Sequence, residues 1–220
     1  MVGENLTKVR ERIQKAALRV GRDPHSVKLV AVTKKAEIDE VRGAIEAGVT
    51  DIGENRVKDA LLKRELLDSH ILNWHMIGHL QSKKAKDAVR IFSVIHSVDT
   101  IKLARAIDKA AGSSGKVQDI FIEVNVSGEK SKFGIAPGAL EGFLKEAGRL
   151  KNINIPGVMT MAPFADDAEK ARPYFRELKK LADAHNLKEV SMGMTQDFEV
   201  AVEEGATMVR IGSAIFRGEL

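Results

Sequence analysis

The feature that most constrains this chain is a rhythm: a short apolar run that reads as a strand, followed by an amphipathic stretch that reads as a helix, repeated from end to end. Val27 to Lys34 is the first such strand. Glu37 to Gly48 is the first helix, with Ile38, Val41 and Ile45 on one face and glycine at its close. Further strands are expected around Ile52 and at Trp74 to Gly78, Phe92 to Val98, Ile120 to Val126, Ile155 to Met161, Val190 to Met194 and Met208 to Ile211, eight in all. Helical patterns lie between them, the clearest being Leu140, Phe143, Leu144 and Ala147, then Ala171, Phe175, Leu178 and Ala182. Strands alternating with helices imply parallel pairing, and eight such units close a (β/α)8 TIM barrel. An open doubly wound sheet is the competing topology. Ahead of the first unit, Val9, Ile13, Ala16, Ala17 and Val20 predict an extra N-terminal helix, ended by Gly21 and Pro24. No linker interrupts the series, so residues 1–220 are expected to form a single domain.

Composition narrows the class of protein. With 44% hydrophobic and 30% charged residues the chain has neither the bias of a disordered segment nor a membrane-length apolar run. Cysteine is absent, which suits a reducing cytoplasm, and the charged stretch Met1 to Arg12 has no apolar signal core. The net charge of +4 and the cluster Lys83, Lys84 and Lys86 raise the question of an anionic partner. Aromatics make up only 5% of the chain and are not interleaved with these lysines, so a solvated helix face is expected and a nucleic-acid partner is not.

In a parallel barrel the C-terminal ends of the strands face the functional mouth. Alternation puts Val30, Val32 and Lys34 on one face of the first strand, so valines that fill the interior aim the lysine amine at that mouth. A lysine among apolar side chains is freed to attack an aldehyde, which makes Lys34 a Schiff-base candidate. The loops after strands seven and eight are a recurrent phosphate site in barrels. Here they are Ser191-Met192-Gly193-Met194-Thr195 and Ile211-Gly212-Ser213, each with a glycine and a hydroxyl, and Thr195 is placed to cap the helix through Phe198. Arg210 lies two residues before Gly212 and faces inward if Met208 does, either paired with an inward carboxylate such as Glu123 or set against a ligand. Lysine, phosphate loops and arginine around one mouth suit a phosphorylated aldehyde cofactor, of which pyridoxal 5'-phosphate (PLP) is the leading example.

Ordered motifs then carry a resemblance. Leu29-Val30-Ala31-Val32-Thr33-Lys34, Gly53-Glu54-Asn55-Arg56, Trp74-His75-Met76-Ile77-Gly78-His79-Leu80-Gln81-Ser82-Lys83-Lys84, Val124 to Lys132, and Ser191-Met192-Gly193-Met194 with Arg210-Ile211-Gly212-Ser213 together resemble the pyridoxal phosphate homeostasis protein family along essentially the whole chain. The resemblance implies a barrel like the N-terminal domain of alanine racemase, with PLP on Lys34. It further implies Asn55 near the cofactor ring, phosphate at Ser191, Gly193, Gly212 and Ser213, and Arg210 at the pyridine nitrogen. Thr33 and Thr195 stand where the family usually has serine, keeping a hydroxyl. Arg217 before Gly218 departs from the expected tail.

An arginine at the ring nitrogen disfavours the protonated pyridinium that a deep electron sink needs. The expected function is therefore a cytoplasmic, monomeric PLP-binding protein serving vitamin B6 homeostasis, with PLP-dependent apoenzymes as partners and without catalysis of its own. The alternatives are a racemase-like PLP enzyme and a Schiff-base aldolase without cofactor. A racemase adds a second base from another domain, which this chain is expected to lack, and Tyr174 beside Phe175 reads as packing. His75 and His79 are four apart without a third ligand nearby, so no metal is expected. Trp74 reads as core, and Lys132 as an exposed loop lysine.

Overall fold

The computed structural model describes residues 1–67 and 72–219. Its strands are β1 (Lys28–Val32), β2 (Asp51–Glu54), β3 (Asn73–Met76), β4 (Val94–Val98), β5 (Gln118–Glu123), β6 (Ile153–Met159), β7 (Glu189–Ser191) and β8 (Met208–Ile211). They pair in parallel in chain order, and β8 returns to β1 to close the barrel. The ladder from Lys28↔Met208 to Ala31↔Ile211 is the one an open sheet would leave unmade, so the doubly wound alternative is excluded.

The helices are α1 (Val2–Arg19), α2 (Ile38–Glu46), α3 (Val57–Leu66), α4 (Ala85–Ile91), α5 (Ile101–Ser113), α6 (Leu140–Ala147), α7 (Arg172–Ala184), α8 (Phe198–Glu203) and α9 (Ser213–Phe216). Local chemistry starts several of them. Glu37 and Glu40 form a capping box at α2, and the Thr100 hydroxyl accepts from the Leu103 N–H at α5. Their apolar faces, with Trp74, Phe92, Phe175 and Phe198, make the layer between barrel and helices. The leading helix buries Leu6, Val9, Ile13, Ala16 and Ala17. Val20, expected on that face, is exposed because the helix ends at Arg19 and the chain turns away.

Most strands stop short of the ends of their apolar runs. β1 ends at Val32 instead of Lys34, β3 at Met76 and β7 at Ser191, because past those points the chain splays outward towards the next helix and becomes the rim of the mouth. One irregularity interrupts the ladder. Between the pairs Asp119↔Asn154 and Phe121↔Gly157, β6 carries one residue more than β5, a bulge that includes Pro156, whose missing N–H a regular ladder would not tolerate.

The interior of the barrel is only half apolar. Val30, Phe121, Met159 and Met208 fill part of it, and His96 stacks on Phe121 with ring centroids 4.7 Å apart. Buried polar groups in the interior include Asp51, His75, Ser191, Glu123 and Arg210, all on strands.

Candidate functional site

At the C-terminal mouth lies a cavity of about 630 Å³ whose lining includes Lys34, Asn55, Arg210, Gly212, Ser213 and Thr195. Lys34 follows β1 on a turn, with Val32 below it also lining the cavity and Val30 buried in the interior, so the alternation of the strand carries the lysine to the mouth. The sequence suggested a lysine enclosed among apolar side chains; Lys34 is instead exposed at the rim, because the strand ends at Val32, before reaching it. Asn55 is held by a close crossing of the loops after β2 and β3. A side chain on Gly78 would place its Cβ 2.5 Å from the Asn55 carbonyl oxygen, so only glycine lets the two loops touch there.

The anion side of the cavity is built from the last two loops, though not by all the residues expected. Ser213 donates to the Thr195 hydroxyl at 3.2 Å, bringing the two hydroxyls together in the cavity wall beside Gly212. Thr195 therefore caps no helix. Asp197 occupies the N-cap position of α8, and its Oδ1 accepts from the Met194 N–H at 2.6 Å. Ser191 is fully buried below the mouth, where its hydroxyl meets Arg210 and His96, and it does not line the cavity. Gly193, at φ +90°, also lies beneath the wall. Its conformation and its contact with Ala201 and Phe198 require glycine, and its carbonyl accepts from the Arg210 N–H.

Arg210 reaches from β8 into the barrel. Nη1 donates to Ser191 Oγ at 2.6 Å and Nη2 to the Thr160 carbonyl at 2.9 Å. Glu123 is not its salt-bridge partner, and among the described residues Arg210 makes no ion pair. Burial pushes its pKa down to about 10, against the attraction of Asp197 and Glu123. Glu123 is raised to about 7, first by burial and then by Asp99, with Arg210 opposing.

That carboxyl sets a pH dependence. Glu123 binds its proton more tightly folded than unfolded, so its contribution is full below the ordinary carboxylate value and is lost as pH rises through the folded value. Moved from 4.5 to about 7, it is worth roughly 3 kcal/mol between those limits. Glu123→Gln is expected to flatten the fall in stability across this window, as read by urea melts at several pH values. A wild-type curve that rises there would refute the assignment.

Residues outside the sequence expectation complete the surroundings. Glu54, fully buried, accepts from the Thr33 hydroxyl at 2.6 Å and from the Lys63 ammonium at 2.7 Å, tying β1, β2 and α3 together beside the mouth. The rim carries exposed Phe133, Met161, Phe164 and Met194, with Phe133 stacked on His79 at 3.9 Å. His75 and His79 part company, one buried inside the barrel and the other at the rim. Lys132 is half-buried and not free, reaching the Met161 carbonyl at 3.4 Å and Glu129 at 3.6 Å. Lys83, Lys84 and Lys86 are exposed and Trp74 is buried. Tyr174 packs against the outer layer.

Fold and mouth together define an α/β barrel of the alanine racemase N-terminal class, and the chain matches the family described as Alanine racemase, N-terminal domain, over residues 5–219. An alanine racemase of Clostridium difficile, 15% identical, shares this fold with a TM-score of 0.72, 96% of this chain overlaying 56% of that one. Within that class, the chain belongs to the pyridoxal phosphate homeostasis protein family. The pyridoxal phosphate homeostasis protein of Aquifex aeolicus is 43% identical over 219 residues, 97% of this chain and 96% of that protein. PipY of Synechococcus elongatus, solved with PLP bound, is 35% identical with a TM-score of 0.84, covering 98% of this chain and 100% of that one.

Proposed function

We propose that this mouth holds PLP, as a Schiff base on Lys34, and that the protein serves intracellular PLP homeostasis without catalysis of its own. The observation that carries this reading is the convergence in one cavity of an accessible lysine, the paired hydroxyls of Thr195 and Ser213, and a buried arginine without an ion pair among the described residues. An aldehyde with an anionic tail matches that donor set, and a relative of the same family is described with PLP bound. Lys34 supplies the amine. Thr195, Gly212 and Ser213 would hold the phosphate, with Asn55 beside the ring and Arg210 at its nitrogen. Ser191 and Gly193 support that wall from beneath instead of touching the ligand. When bound, PLP supplies an aldehyde for reversible imine exchange.

Arg210 also favours holding over turnover, because a fixed positive charge opposes protonation of the ring nitrogen that carbanion chemistry uses. A racemase-like activity would instead exchange the α-hydrogen of amino acids with solvent. The reading extends to a monomer in the cytoplasm that passes PLP to apoenzymes; no helix among the described residues is long and apolar enough to cross a membrane.

The test is direct. Titration with PLP should produce visible absorbance at one equivalent, and borohydride reduction followed by peptide mapping should place the label on Lys34. Absence of any new absorbance would leave the cavity without this ligand.

A further inference from the structure

Beneath the mouth, five buried side chains are joined end to end across the barrel. Arg210 Nη1 lies 2.6 Å from Ser191 Oγ, and that oxygen lies 3.0 Å from His96 Nδ1. His96 Nε2 is 2.9 Å from His75 Nδ1, and His75 Nε2 is 2.9 Å from Asp51 Oδ1. One end of the chain, a guanidinium, only donates; the other, a carboxylate, only accepts. With both histidines neutral, a single arrangement of protons satisfies every link. Arg210 donates to Ser191, the Ser191 O–H to His96 Nδ1, His96 Nε2–H to His75 Nδ1, and His75 Nε2–H to Asp51.

Both imidazoles are kept neutral by their surroundings. Burial lowers His96 well below the usual histidine value, aided by His75, Arg210 and Lys28. Burial also lowers His75, against the pull of Asp51. The charged groups facing the chain are Lys28 on β1, 3.6 Å from Asp51, Asp51 itself on β2, Glu123 on β5 and Arg210 on β8, with Asp197 beyond it. β6 and β7 contribute Met159 and Ser191, which do not titrate. A proton added to His75 would put an N–H on Nδ1 and force His96 to shift its own proton to Nδ1. The Ser191 hydroxyl would then lose its acceptor. One added proton thus breaks the order of the whole chain.

We propose that Asp51, His75, His96 and Ser191 are positioning residues for Arg210, a one-way series of hydrogen bonds that fixes Nη1 and presents the Nε–H to the ring nitrogen of the ligand. The last clause rests on the reading that the mouth takes PLP. The Arg210 Nε–H makes no hydrogen bond among the described residues, and the residue lines the cavity, so a donor is left for that purpose.

The test uses the full chain, first without PLP. In ¹⁵N imidazole spectra, assigned with His75→Gln and His96→Gln, both histidines should be neutral Nε2–H tautomers that do not titrate across the ordinary histidine range. A Nδ1–H tautomer at either position, or an ordinary titration, overturns the proposal. Ser191→Ala should speed solvent exchange of the Arg210 side-chain N–H groups by on the order of tenfold, the loss of one hydrogen bond to a charged group. The same variant, loaded with PLP and left unreduced, should show a shifted pH midpoint in its visible absorbance while a parallel sample is labelled by borohydride as the wild type is, and Ser191→Thr should restore the midpoint. Unchanged exchange and an unchanged midpoint in Ser191→Ala would also overturn it. Failure of borohydride to label Lys34 would instead remove the PLP reading and leave the tautomer result standing.

Discussion

Lys34→Ala is expected to leave a colourless protein that releases PLP on dialysis and takes up no label from borohydride. The argument is one of geometry and of bond type. Thr195, Gly212 and Ser213 remain in the variant for the anionic tail and Arg210 for the ring nitrogen, so on the proposed reading weak reversible binding should persist. What goes is the covalent link, whose advantage comes from an amine already held in the same cavity as the aldehyde; its loss should weaken retention by on the order of a hundredfold or more. Lys35 provides the control, because it is exposed and lines the same cavity one residue further along. Lys35→Ala should stay yellow. A Lys34→Ala protein that still carries a reducible adduct, found by mass spectrometry, would move the site to another amine and end the assignment.

Gly157→Ala is expected to have the largest effect on stability. A Cβ at this position would lie 1.8 Å from the Glu189 carbonyl oxygen, an impossible approach between backbones that no rotamer relieves. The site is rigid on both sides. Gly157 pairs with Phe121 on β5 and with Glu189 on β7 at the bulge beside Pro156, and the Glu189 carboxylate accepts from Thr207, whose hydroxyl also accepts from the Val190 N–H at 2.9 Å. Relief would require parting β6 from β7, and a cost above about 4 kcal/mol is expected, with a fall in Tm on the order of 10 °C or loss of soluble protein. Gly142→Ala is the counterpart. It sits inside α6 with nothing within 4 Å of the new methyl, and should stabilise by roughly 0.5–1 kcal/mol. Equal melting of Gly157→Ala and wild type would show that the two strands have room that the geometry denies them.

The barrel was legible because its evidence is distributed: each strand–helix unit shows a change of period, and eight in series leave little choice of closure. Lys34 was legible from alternation through Val30 and Val32, which brings it to the mouth even though the strand ends first. Ser191 illustrates what a single strand hides. Its sequence neighbours Gly193 and Thr195 suggested a loop, yet its hydroxyl points below the mouth, because the strand continues through it and its partners, His96 and Arg210, come from β4 and β8. The His75–His96 contact was equally out of reach, since nothing within Trp74-His75-Met76 or Ile95-His96-Ser97 states that two separate strands turn these rings towards each other. Residues that meet across a barrel leave no local pattern, whereas residues that face one core along a helix do.

The leading helix carries a consequence for how the molecule comes into being. Arg19 on α1 reaches Glu199 at 2.9 Å and Glu203 at 2.7 Å on α8, Asn5 donates to the Ile215 carbonyl at 3.0 Å, and Arg22 reaches the Ala206 carbonyl at 2.9 Å. These partners are separated by 180 residues or more, and they lie within or just beyond the segment that bears Thr195, Arg210 and Ser213. During synthesis the first turns emerge without anything to dock on, and loop closure over such a separation waits for the final unit. The proposed PLP-binding mouth is thus completed only when the β8 unit docks, so on that reading a ribosome-bound chain would have its amine long before it had anything to grip an anion with.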